Sequence, residues 1–199
     1  SRYEALGTDR KVYAYVAGQS QDITPIRETA TLVNAITTTN TSATLTISDS
    51  SHGADVGDFV TLSSVSANVG GILSTVLDAE YEILTITNVD AYTILSSATA
   101  TSTVGPTANC TANYQLNIGP SEQTFGYGWG SGTWSTSTWG TARATSNVTL
   151  DARLWSINNW GEDLVITQKD GGTYEWDTSG GMSGNRATVI ANAPTTSTL

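Results

Sequence analysis

Apolar side chains recur at every second position in several short stretches of the chain, the period of a half-buried β-strand. Near the start, Val12, Ala14 and Val16 fall on one face and Tyr13 and Tyr15 on the other. Turn-forming clusters at 7–10 and 17–20 bracket that strand. Late in the chain, the stretch DLVITQKDGGTYEWD places Leu164, Val165 and Ile166 before the turn 169–172, and 173–176 returns after it. This is the pattern of a hairpin, and a hairpin cannot bury its own apolar side chains, so other strands must flank it. The same strand-turn-strand grammar at the two ends forms a weak internal repeat.

The long middle is patterned differently. Short Thr-rich strands are predicted at 43–48, 59–63, 80–86, 91–96 and 110–116, with turn signals between them. Regular spacing of this kind predicts an all-β barrel or sandwich. From Thr29 to Asn117 there is no Lys or Arg. We read residues 32–116 as a small β-domain inserted into a surface loop of a parent fold, because loops accept insertions whose ends lie close together. Four segments follow: a first blade-like segment (1–31), the insert (32–116), a Gly/aromatic loop (117–142) and a second blade-like segment (143–199).

Composition supports strands and turns over helices. Only 13% of the 199 residues are charged, and Thr, Ser, Gly and Ala abound, so almost no helix is expected. The net charge of −10 argues against a nucleic-acid-binding surface, which needs Lys and Arg to neutralise phosphates. Cys110 is the only cysteine, which excludes an internal disulfide and predicts a buried thiol. No stretch is long and apolar enough to span a membrane as a helix. The chain opens on Ser1 and stops in NAPTTSTL without a closing element, so it is expected to be a piece of a longer one.

Candidate chemistry is sparse. His52, Asp55 and Asp58 cluster around Gly57, but their spacing fits a turn and no Ca²⁺ loop: Gly57 is expected at positive φ, with Asp58 bonding the backbone. Asp78, Glu80 and Glu82 resemble paired carboxylates, yet Glu80 and Glu82 share one face of a strand and are expected to be a solvated edge. No nucleophile elbow, phosphate loop or zinc spacing is present, so neither an enzyme, a cofactor nor a metal is expected. In the loop GPSEQTFGYGWGSGTWSTSTWGTAR, Tyr127, Trp129, Trp134 and Trp139 are interleaved with glycines. Such aromatics suit either a contact with a neighbouring subunit or stacking on sugar rings. Trp155, Trp160 and Trp176 are expected to pack between sheets.

The hairpins resemble β-propeller blades. More narrowly, ALGTDRKVYAY with QDITPIR, the loop FGYGWGSGTWSTSTWGTAR, and ARLWSINNWGEDLVITQKDGGTYEWD resemble a family of bacteriophage tail structural proteins. The insert, with HGADVGDFVTL and LDAEYEILTITNVDAYTI, resembles the small β-domains that decorate tail and virion proteins. The resemblance implies a virion component of the tail: a hub, tube or nozzle that forms a homo-oligomeric ring with other tail proteins and guides DNA ejection without catalysis. On that reading Glu162 and Asp163 are candidates to face a lumen through which the DNA polyanion slides. The alternative is a glycan-binding or host-adhesion module of a tail protein.

Overall fold

The computed structural model describes residues 3–8, 10–116, 154–168, 171–182 and 184–194. The chain opens with β1 (Glu4–Gly7), β2 (Val12–Val16) and β3 (Gln19–Asp22), paired antiparallel in that order. Val12 and Ala14 are wholly buried while Tyr15 on the other face is exposed, so the alternation in the sequence is that of a half-buried strand.

An eight-stranded antiparallel sheet follows. It comprises β4 (Ile26–Leu32), β5 (Ile36–Thr38), β6 (Thr44–Ser48), β7 (Phe59–Ser63), β8 (Glu80–Asn88), β9 (Ala91–Leu95), β10 (Val104–Thr107) and β11 (Cys110–Gln115), with one helical turn, α1 (Ser74–Leu77), before β8. The spatial order is β10-β5-β6-β9-β8-β7-β11-β4. In a flat sheet β4 and β5 would lie six strand spacings apart, about 29 Å. Three residues join them, a reach of at most about 14 Å. The sheet therefore coils until its two ends lie side by side, and Ala35 N donates to Ala108 O at 2.9 Å where the two short connections meet. Among the described residues no ladder joins β10 to β4, so the order is open and not a closed barrel.

The coiled sheet encloses one core, from Leu32 and Ile36 through Leu45, Ile47, Val60, Leu62, Ile83 and Ile94 to Tyr114. It also holds a polar chain. Tyr114 donates to Asp49 Oδ2 at 2.5 Å, its hydroxyl lies 3.0 Å from that of Tyr92, and the Tyr92 ring meets the His52 ring edge-on. Burial pushes the pKa of both tyrosines far up, so these hydroxyls stay protonated and serve as hydrogen-bond links. Cys110 is buried in the same core, and burial, then the Asp49 and Asp78 charges, push its thiol up to about 11. We predict that Cys110 does not react with a thiol-specific disulfide reagent at pH 8 in the native protein and reacts at once in denaturant. Rapid native labelling would contradict this packing.

The last sheet is a four-stranded meander of β12 (Trp155–Trp160), β13 (Asp163–Gln168), β14 (Thr173–Trp176) and β15 (Thr188–Val189). Leu164, Ile166, Tyr174 and Trp176 meet Val12, Ala14 and Ile23, so the first and last segments build one small core together. The blade-like reading needs correction here. The meander has the strand order of a blade, but a propeller needs blades repeated around an axis. The described residues instead form three antiparallel sheets, two of which share a core. Strand β4 belongs to the eight-stranded sheet, which thus begins at Ile26, ahead of residue 32. Leu116 N donates to Pro25 O at 2.9 Å, so the chain leaves the smaller unit and returns to it at one point.

Candidate functional site

The two units meet through a polar cluster. Thr24 is buried beside β2, its hydroxyl accepting the Val12 amide at 3.0 Å, and this fixes the backbone between Lys11 and Asp22. Lys11, just ahead of β2, reaches Asp22 Oδ2 at 3.0 Å, also contacts Glu80 of β8, and lies 4.1 Å from the centre of the Phe59 ring. Arg186 pairs with Asp22 Oδ1 at 2.9 Å and with Glu80 Oε2 at 3.2 Å. Gln115 Nε2 donates to the same Glu80 oxygen. Beside them Arg10 Nη1 holds Glu82 Oε1 at 2.6 Å. Three cations of the smaller unit thus grip two carboxylates of the larger one.

Glu80 and Glu82 do share the exposed face of β8, opposite buried Tyr81 and Ile83, but β8 lies between β9 and β7 and is no edge, and both carboxylates are held in ion pairs that the sequence reading missed. The signal was present in the sequence: the insert has no Lys or Arg between Thr29 and Asn117, so acids on its strands can be neutralised only from outside. Which cations would reach them depends on how the units fold together.

Asp22 shows the electrostatics of the cluster. Burial pushes its pKa up, but hydrogen bonds from the Thr24 hydroxyl and amide, the Arg186 guanidinium and the Lys11 ammonium outweigh burial and hold it below the ordinary value. A depressed carboxylate stabilises the fold at pH values above its unfolded pKa, and that contribution is lost as the pH falls through the lower folded value. We therefore expect an acid unfolding transition below about pH 4 that flattens in Asp22→Asn, followed by tryptophan fluorescence. An unchanged acid limb in the variant would remove Asp22 from that role.

The other sequence candidates fall as follows. Asp58 is buried and its Oδ2 accepts the Asp55 amide at 2.8 Å, with Gly57 at φ +91°, a self-bonded turn. His52 is buried with its Nδ1 accepting the Ala54 amide at 3.1 Å, which leaves Nε2 to donate to Asn88 O at 3.2 Å. Asp78 Oδ1 accepts the Val65 amide at 2.9 Å. Among the described residues no three His, Cys, Asp or Glu side chains converge as metal ligands. Glu162 is exposed in the β12–β13 turn. Asp163 Oδ1 accepts both the amide and the hydroxyl of Thr178, at 2.9 and 3.0 Å, so it staples the hairpin to the turn after β14. Tyr127, Trp129, Trp134 and Trp139 lie outside the described residues.

Of the three tryptophans expected to pack, Trp176 is fully buried, and Trp155 is half-buried against the same core with Nε1 donating to Thr8 O at 3.0 Å. Trp160 does not pack: it is 70% exposed. A shallow recess of about 380 Å³ opens beside β3, lined by Gln19, Ser20, Gln21, Met182 and Gly184. Gln21 is fixed there, its amide donating to Asn185 O at 2.6 Å.

No protein-family model matches the chain. No curated protein matches it by sequence. Among solved structures it is similar to the phage phi92 endosialidase, at 16% identity and a TM-score of 0.39. That match covers 94% of this chain and 29% of the endosialidase chain. A likeness this distant does not carry a role across.

Proposed function

We propose that this chain is part of a bacteriophage tail protein and acts by presenting a surface rather than by catalysis. The observation that carries the reading is the way the larger unit is mounted. It leaves and rejoins the smaller unit at the Pro25–Leu116 hydrogen bond and is braced there by Lys11, Arg10 and Arg186. A single double-stranded stem with an ion-paired brace suits a module held out at a fixed angle from a scaffold. The resemblance of the flanking stretches to phage tail structural proteins supplies the virion context, with hub, tube or nozzle as the finer forms of it.

Within that reading the adhesion role is the stronger one. The Gly/aromatic loop carries Tyr127, Trp129, Trp134 and Trp139, residue types suited to the apolar faces of sugars. The recess beside β3 adds amide and hydroxyl groups that suit sugar hydroxyls. Two measurements test the proposal. Antibodies against the chain are expected to decorate tails in electron micrographs of phage particles that encode it; decoration of heads only, or of nothing, would sink the tail assignment. On a glycan array the chain is expected to bind at micromolar strength and Trp134→Ala to lose that binding, whereas silence of the array would return the weight to a structural tail role.

A further inference from the structure

Among the described residues each sheet has edges, and an edge strand with unpaired N–H and C=O groups is a template for another chain unless it is blunted. Most edges here are. Strand β1 has four residues, including Glu4, and β15 has two. Strand β3 is covered by the segment after it in space, with Gln21 bonded to Asn185 and Ala187 N donating to Ile23 O. Strand β4 carries Arg27 and Glu28. Strand β10 contains Gly105 and Pro106 and pairs with β5 through a register shift.

Strand β12 has none of these defences. Its sequence is WSINNW, six residues without a charge, proline or glycine, in a chain whose net charge is −10. Among the described residues its only ladder is with β13.

The direction of its free groups can be worked out. Gln168 N donates to Gly172 O, on the β14 side, so alternate residues Asp163, Val165 and Thr167 turn their backbone groups toward β12. Their partners Trp160, Asn158 and Ser156 are then the hydrogen-bonded ones. The two-residue turn with Gly161 at φ +67° closes on the Trp160–Asp163 pair, in agreement. The backbone groups of Trp155, Ile157 and Asn159 therefore point away from the sheet. In the free edge the Asn159 amide is taken by Asn158 Oδ1 at 2.8 Å.

We propose that β12 is a homotypic docking edge at which a second copy of this chain adds its own β12 antiparallel, about a twofold axis at Ile157. Side chains keep their face when a sheet is extended across such an axis, and the register follows. Ile157 pairs with Ile157 of the copy, and Trp155 pairs with Asn159, whose amide passes from Asn158 to the Trp155 carbonyl. Ser156 stands opposite Asn158, and Leu154 stands opposite Trp160. These last two residues are 61% and 70% exposed in the single chain, on the sheet face turned from the small core. In the pair they meet twice, once at each end, in non-hydrogen-bonded positions where side chains approach most closely.

Neutrality selects the partner. A twofold contact sets a strand against itself, so any charge near its middle would meet a like charge, and WSINNW carries none. The contact closes on itself and stops at two copies. It is independent of any glycan role.

Sedimentation velocity of the 199-residue chain over a concentration series tests this. A reversible monomer–dimer equilibrium is expected. Trp160→Glu and Leu154→Lys should each raise the dissociation constant about tenfold or more. The double variant should recover most of the loss, because each new lysine then faces a glutamate of the copy. Val89→Glu, at another exposed apolar position, should change nothing. Unchanged thermal melts in the single variants show that the fold is intact. A chain that sediments as a monomer throughout, a dimer indifferent to both single variants, or a double variant that does not recover would each overturn the proposal.

Discussion

Trp176→Ala is expected to unfold the smaller unit while the eight-stranded unit remains folded. Trp176 is 0% accessible and packs in one core with Val12, Ala14, Ile23, Leu164 and Ile166, with Tyr3 edge-on at 5.1 Å. Its Nε1 donates to Asn185 O at 3.2 Å, so alanine removes a packed ring and one of the two hydrogen bonds to that carbonyl, which keeps the Gln21 amide. Truncation of a buried tryptophan costs about 3–5 kcal/mol. In a core of this size that is most of the stability available, and a fall in melting temperature of roughly 10 °C or more is expected for the unit that contains it. Calorimetry should resolve two transitions, of which only one moves. A single transition that shifts as a whole would mean that the two cores melt as one.

Glu80→Ala is expected to uncouple the two units. Glu80 is the most connected residue of the junction, touching Lys11, Arg186 and Gln115. Its loss leaves the Lys11 side chain, only 10% exposed, with Asp22 as its remaining carboxylate beside the Phe59 ring. Removing one member of a buried ion pair is costly because the other stays desolvated. Glu80 itself is near the surface, and solvent screening reduces the effect to about 1–3 kcal/mol. The expected signature is a wider separation between the two calorimetric transitions, together with a loss of their dependence on salt. Glu82→Ala, which breaks only the more exposed pair with Arg10, should give a smaller change in the same direction. Equal effects from the two variants would contradict a junction centred on Glu80.

Much of the local structure was legible before the fold. The strands predicted at 59–63, 80–86, 91–96 and 110–116 coincide with β7, β8, β9 and β11 to within two residues, because alternation and turn residues act at short range. Strands β4, β5 and β10 were missed. β4 carries Arg27 and Glu28 and β10 carries Gly105 and Pro106, so neither shows the alternation that marks a half-buried strand. β5 is only three residues long. Trp160 was misplaced for a related reason: periodicity tells two faces apart but not which face is covered.

The sequence by itself determined an all-β chain, the two alternating faces of β2, the β13–β14 hairpin, the buried thiol at Cys110, and an insert whose acids had no cations of their own. Those properties follow from side-chain period, turn chemistry and composition, and each acts over a few residues. Tertiary structure alone decided that the eight strands form one open coiled sheet, that the two ends of the chain share a core, and that Lys11, Asp22, Glu80 and Arg186 meet. These depend on contacts between residues as far apart as Arg186 and Glu80, whose formation is governed by how whole sheets bury their apolar faces. No local pattern records that choice.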